Sequence, residues 1–164
     1  MTAPYYTLYI ASLPEVLFAH RYSCSKDSWH LSVNADIVEI SACLAGTMKR
    51  TSGNSTDIFT PGELFVTPRD RPYTMEVSDG HSHVTAALAL QQEGIPALLP
   101  RTVAASVCPD ALRALMTLSA SRLPSLSASA AALTLLAALD GSARAQKVEN
   151  PHYKKALSYI ENNL

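Results

Sequence analysis

A mainly β domain followed by an α-helical hairpin is the fold class that this 164-residue sequence predicts. Three observations lead there. Over the first ~90 residues, short runs of alternating apolar and polar side chains are cut by turn-forming residues roughly every 8–12 positions, as in a sandwich or barrel. From Pro109 onward the apolar spacing becomes helical, and Ala, Leu and Ser dominate. Apolar residues make up 48% and charged residues 16%, enough to build the core of a compact globular domain.

Each element has a local cause. Segments 5–11 and 15–22 carry the aromatic and β-branched residues that suit a pleated, half-buried surface. Residues 37–44 read IVEISACL: Val38, Ile40, Ala42 and Leu44 fall on one face, and Glu39, Ser41 and Cys43 on the other, so a strand with two unlike faces is expected before Gly46. Segments 48–51 and 56–60 flank Ser52-Gly53-Asn54-Ser55, which suits a hairpin turn. Pro61-Gly62 turns the chain into a strand at 63–67. Residues 68–72 form a loop, because Pro68 and Pro72 cannot donate to a ladder. Strands at 73–77 and 81–90 are separated by the turn Ser78-Asp79-Gly80. Together with Leu64 and Val66, the apolar face of 37–44 is expected to line the core or the floor of a mostly apolar cavity.

Residues 91–107, with Pro96 and Pro100, read as a connector. A helix is expected over 109–123, with Pro109 in the first turn, where its missing N–H is not needed, and Leu112, Leu115, Met116 and Leu118 at helical spacing. Pro124 stops it. A second helix runs from 126 to 138 or a little beyond, with Leu126, Leu133, Leu136 and Ala137 as a seam. Residues 140–151 are polar, with Gly near the start and Pro at the end, and read as a linker. In 152–164, Tyr153, Ala156, Leu157, Ile160 and Leu164 mark an amphipathic helix that opens a further element. The organisation is thus a β-barrel over 1–92, a connector and helical hairpin over 93–139, a linker over 140–151 and the start of a second domain at 152–164.

Composition narrows the function. A net charge of −1 argues against a segment that grips phosphates by itself, since neutralising a nucleic-acid backbone takes an excess of Lys and Arg. Three scattered cysteines, Cys24, Cys43 and Cys108, fit free thiols in a reducing cytoplasm better than a disulfide framework or a thiolate metal site. The N-terminus lacks the basic start and apolar run of a signal peptide, and the most apolar stretch, 126–139, is shorter than a membrane span. No Gly-x-Ser-x-Gly elbow or supported nucleophile–base pair is present, so no enzymatic activity and no cofactor are expected.

The segment HYKKALSYIENNL carries Lys155, Ala156, Tyr159, Ile160 and Leu164 in a spacing that resembles the first helix of the AraC/XylS-type DNA-binding domain. VEISACLAG, ending in Gly46, and FTPGELFVTPRDRPYTME, with its Pro61-Gly62 turn, resemble that family's N-terminal cupin-like sensing domain. The order of barrel, hairpin, linker and helix is similar as well, and the resemblance spans essentially the whole chain. It implies a cupin-like double-stranded β-helix that binds a small-molecule effector in its barrel. It also implies a hairpin that pairs two protomers through the seam of Leu126, Leu133, Leu136 and Ala137. DNA would be contacted only by C-terminal helix-turn-helix units, of which this chain reaches the first helix.

Five residues are candidate effector contacts. His81 and His83 share a strand face. On the resemblance they fall where the arabinose-responsive regulators carry a pair of pocket residues. They could also be structurally bonded histidines, or a metal pair of the kind that metal-dependent cupin isomerases and dioxygenases use. That alternative enzyme reading needs a third ligand, which Glu39, His20 or His30 could supply only through the tertiary fold. Tyr73 matches the pocket tyrosine of the sugar-sensing members, although Pro72 stands where they have His. Trp29, the single tryptophan, is either a stacking plate or packing. Glu39 lies either on a solvated face or inside, where it needs a partner such as Arg21 or Arg71.

Overall fold

The β-part is two facing antiparallel sheets, and the computed structural model describes it within residues 5–89, 91, 93–149, 155 and 159. The strands are β1 (Tyr5–Ile10), β2 (Val16–Cys24), β3 (Asp27–Leu31), β4 (Ile37–Ala45), β5 (Met48–Ser52), β6 (Ser55–Phe59), β7 (Glu63–Pro68), β8 (Tyr73–Val77), β9 (His81–Ala89), β10 (Ile95–Pro100) and β11 (Thr102–Ala104), followed by α1 (Pro109–Ala120) and α2 (Leu126–Glu149). One sheet has the order β11-β7-β4-β9-β2, the other β3-β8-β5-β6, and β1 pairs with β10 in a separate ribbon. The result is a flattened β-barrel followed by helices, the predicted class.

The alternation in β4 decides the layering. Val38, Ile40 and Ala42 point away from the second sheet and join Leu64 and Val66 of β7 and Val84, Ala86 and Leu88 of β9 in a large apolar layer. Leu115 and Leu118 of α1 and Leu135 and Leu139 of α2, all fully buried, complete that layer. Each such leucine contributes roughly 1.5–3 kcal/mol by leaving water. The main core therefore lies outside the barrel, between sheet and helices. The space between the two sheets holds a smaller cluster: Met48, Phe59, Phe65, Tyr73, Met75 and Val77. The expected apolar set is core, but core against the helices and not the floor of a cavity.

Turns place the strands. Gly53-Asn54 closes the β5–β6 hairpin in two residues, with Ser52 opposite Ser55. Gly46, at φ +67°, joins β4 to β5. A Cβ there would lie 2.7 Å from the Ser78 hydroxyl and 2.9 Å from the Cα of His81. Only glycine meets both demands, and this close approach fixes the start of β9.

Three expectations are corrected. Residues 91–107 are not a plain connector, because they contain β10 and β11. β10 tolerates Pro96 and Pro100 since it is paired on one side only, with β1. β3, which carries Trp29, was not anticipated, and it pairs with β8. The segment read as a linker from 140 continues α2 to Glu149. Ala143 is buried there, and Arg144 ties back to Asp140 at 2.6 Å, an i,i+4 pair that supports the helix across Gly141. The longer helix also makes Leu126–Ala145 long and apolar enough to cross a membrane by length and composition alone. One of its faces, Ala128, Ala132, Leu135, Leu136, Leu139 and Ala143, is buried, all but Ala143 in the sheet–helix layer. Of the helix expected at 152–164, Lys155 and Tyr159 are helical and the rest lies outside the described residues.

Candidate functional site

The inner face of the barrel is polar at both ends and apolar in the middle. β4 turns Glu39, Ser41 and Cys43 inward, and the β7 and β9 partners of these positions are Thr67, Ala87, Phe65, Thr85 and His83. In the middle Phe59 and Phe65 stack face to face at 3.8 Å, and the Ser41 and Thr85 hydroxyls bond at 2.8 Å. This packed waist separates two sites that lie about 13 Å apart along β4, four residues at strand rise.

At the first end an arginine network opens onto solvent. Arg50 sits on β5 two residues from Met48, and the strand period puts both inside. Its guanidinium donates to Asp57 Oδ2 at 3.2 and 2.7 Å, to the Val66 carbonyl at 3.3 Å and to the Thr67 hydroxyl. A buried charge is tolerable only with such full pairing. Beside it the Tyr73 hydroxyl donates to Glu39 Oε2 at 2.8 Å, and Arg69 approaches the other Glu39 oxygen at 3.5 Å. Burial first, then the Glu39 charge, pushes the Tyr73 phenol well above its usual range, so it stays a donor. A cleft of about 250 Å³ opens over this network, lined by Arg50, Asp57, Thr67, Tyr73 and Arg101, with Tyr5 and Tyr6 from β1 and with Asp70 and Arg71.

The second end is a closed cluster of rings. His81 Nε2 and His83 Nδ1 face each other at 2.8 Å, and both rings are buried. Trp29 stacks on His83 at 6.2 Å, while Tyr22 and His20 approach it at 5.5 and 6.3 Å. Burial, then the neighbouring His81 and His20, lowers the His83 imidazole from 6.5 to about 4. Burial lowers His81 too, and its Nδ1 has no hydrogen-bond partner. A metal does not suit this arrangement. The two ring nitrogens are turned on each other, and no group of three His, Cys, Asp or Glu side chains among the described residues could hold an ion.

The five residues expected at one site thus fall into two groups, Glu39 with Tyr73 and Trp29 with His81 and His83. Only Tyr73 lines the cleft. Glu39 is inside, and its partners are Arg69 and Tyr73, not Arg21 or Arg71, because the chain leaving β7 folds back over β4. Sequence reasoning missed Arg50, Asp57, Thr67 and Arg101. The alternation of Met48, Lys49 and Arg50 was the available signal for the first of these.

The helices present a second surface. Leu133 and Ala137 line a groove of about 630 Å³ between α1 and α2, with Ala130, Ala131, Ala138, Ala114 and Thr117. Leu126 is 75% exposed. Leu136, expected on the same seam, faces its own core at 4% exposure and has no surface left for a partner.

The chain matches no protein-family model and no curated protein. Among solved structures, an HTH_3 family transcriptional regulator from Vibrio cholerae aligns over 48% of this chain and 51% of its own, at 16% identity and a TM-score of 0.38. The AraC-like transcriptional activator CuxR aligns over 60% of this chain and 32% of its own, at 13% identity and 0.36. The cupin-2 domain of an XRE family transcriptional regulator from Enterobacter cloacae aligns over 55% and 100%, at 11% identity and 0.38. This chain spans about half the length of the Vibrio cholerae regulator. At these identities and scores the likenesses assign no activity, ligand or partner.

Proposed function

We propose that this chain is the effector-sensing and dimerisation part of an AraC-type transcription regulator. A small molecule bound at the mouth of the barrel would control DNA binding by a C-terminal helix-turn-helix domain. The observation that carries this reading is the open cleft of about 250 Å³ over the Arg50–Asp57–Thr67 network. A polar, pre-organised inner face that opens to solvent is suited to capturing a small polar ligand. The helices lie on the opposite face of the same sheet: β4, which carries Glu39 at the cleft end, also packs against α1, and β10, which leads into Arg101, packs against α2. Ligand occupancy would shift an equilibrium between two arrangements of the hairpin, by no more than its differential affinity for them.

In this reading the protein is a cytoplasmic homodimer that touches no membrane, and it binds its ligand without converting it. The hairpin groove is the pairing surface. The other reading of the sequence, a metal-dependent cupin enzyme that uses His81 and His83, lacks a third ligand among the described residues, and elemental analysis of the purified protein tests it: stoichiometric metal would favour the enzyme over the sensor. The direct test screens metabolites by thermal shift. A ligand present at 100 times its Kd stabilises the native state by about 2.7 kcal/mol. The same compound must then change the operator affinity of the protein carrying its DNA-binding domain. A compound that binds the cleft and leaves operator affinity unchanged defeats the proposal.

A further inference from the structure

Arg101 is the side chain in the cleft whose chemistry is left over. It sits between β10 and β11, and only 23% of its side chain is exposed. Among the described residues its guanidinium makes no hydrogen bond. Its ion-pair partner among the described residues is Asp57 at 3.7 Å, beyond hydrogen-bond range, and that carboxylate oxygen already accepts two bonds from Arg50. A guanidinium has five donors in a planar fork, and a largely covered one with none engaged carries a desolvation cost that a bidentate acceptor relieves. Its Cζ lies over the Tyr6 ring at 5.7 Å, a cation–π contact that favours this position.

The rest of the cleft says what else the acceptor carries. Its lining holds three guanidinium groups, Arg50, Arg71 and Arg101, against two carboxylates, Asp57 and Asp70. Arg50 is consumed by the framework, and Arg71 pairs with Asp70 at its own loop. Ser52, Ser55, Thr67, Tyr5, Tyr6 and Tyr73 line the remainder, although the hydroxyls of Ser52, Thr67 and Tyr73 already bond Pro72, Arg50 and Glu39. A volume of about 250 Å³ is slightly below the range of sites that hold drug-sized molecules.

We infer that the cleft takes a small hydroxylated acid, whose carboxylate or phosphate docks bidentately on Arg101 while its hydroxyls meet the polar walls. This rests on the ligand-sensing reading above and names the class of ligand for it. The glucose series isolates the acid: D-glucuronate, glucose 6-phosphate and glucose share a hydroxylated ring and differ in the anionic group. Calorimetric titration of the 164-residue protein is expected to show at least one of the two acids binding tenfold or more tightly than glucose. Tighter glucuronate identifies a carboxylate site, and tighter glucose 6-phosphate a phosphate site. Arg101→Gln is expected to remove most of that preference. Arg101→Lys keeps the charge but loses the fork, and is expected to recover only part of it. Circular dichroism melts check that both variants fold, and the wild-type comparison stands without them. Glucose binding as tightly as both acids overturns the inference, as does an acid that binds Arg101→Gln undiminished, or no binding by either acid. The sensing reading fails separately, when a compound that binds the cleft leaves operator affinity unmoved.

Discussion

The two faces of the five-stranded sheet obey different rules although they alternate residue by residue along the same strands. On the outer face of β4, Val38, Ile40 and Ala42 are buried under the helices in a layer with no charged member. On the inner face, Glu39 accepts a hydrogen bond from Tyr73 and pairs with Arg69, and Ser41 bonds Thr85. Stability is assigned to the outer face, which frees the inner one to hold polar groups and an open mouth. A barrel stabilised mainly from within would need its interior filled with apolar side chains, and would have no room for Arg50 or a cleft.

The sharpest way to break this division is in the outer layer. Leu135 is fully buried between α2 and the sheet. Leu135→Ala is expected to cost about 2–5 kcal/mol, read as a fall in the urea midpoint at unchanged slope. A cost near that of a surface substitution would show that the helices are not the main support.

The inner face is expected to respond to acid. His83 titrates at about 4 in the fold, against 6.5 when free. The unfolded chain therefore takes up its proton first as pH falls. Stability is complete above pH 6.5 and is lost progressively between 6.5 and 4, by at most roughly 3 kcal/mol from this residue. His83→Gln should flatten that stretch of the pH–stability curve. An unchanged acid slope in the variant would mean that His83 is not the group responsible. At the other end of the barrel the effect is smaller. Tyr73→Phe keeps the ring and removes one donor to the Glu39 carboxylate, which retains Arg69, for an expected loss of about 1.5 kcal/mol. No measurable loss would assign Tyr73 to packing alone.

Much of this division was legible in the sequence, but not its direction. The alternation IVEISACL gives two unlike faces, and Gly53-Asn54 and Pro61-Gly62 give the turns, because period and turn chemistry are local properties. Which face the helices cover is decided by α1 and α2, whose docking no local pattern records. The same limit hid the partner of Glu39. Arg69 reaches it only because the chain after β7 returns past Ile37, with the Arg69 N–H donating to the Ile37 carbonyl at 3.0 Å. Arg101 had no sequence signal at all. It follows Pro100 at the end of an edge strand that the two prolines argued against, and its place in the cleft depends on β1 bringing Tyr6 beneath it.

The smallest stability effect is expected on the helical surface, where the comparison between inside and outside repeats on a single helix. Leu133 and Leu136 are three residues apart on α2, yet Leu136 is buried and Leu133 is 40% exposed at the groove. Leu133→Asp should lower monomer stability by about 1 kcal/mol, through lost partial burial and the weaker helix propensity of Asp. Leu136→Asp places a charge with no partner in the apolar layer and should unfold the domain. If the groove pairs two protomers, Leu133→Asp shifts sedimentation from dimer to monomer while the melting curve, taken at monomeric concentration, moves down only by that amount. A variant that remains dimeric would move the pairing surface elsewhere. A variant that unfolds would show that Leu133 belongs to the core, and that the boundary between the two faces of α2 has been drawn one turn too far inward.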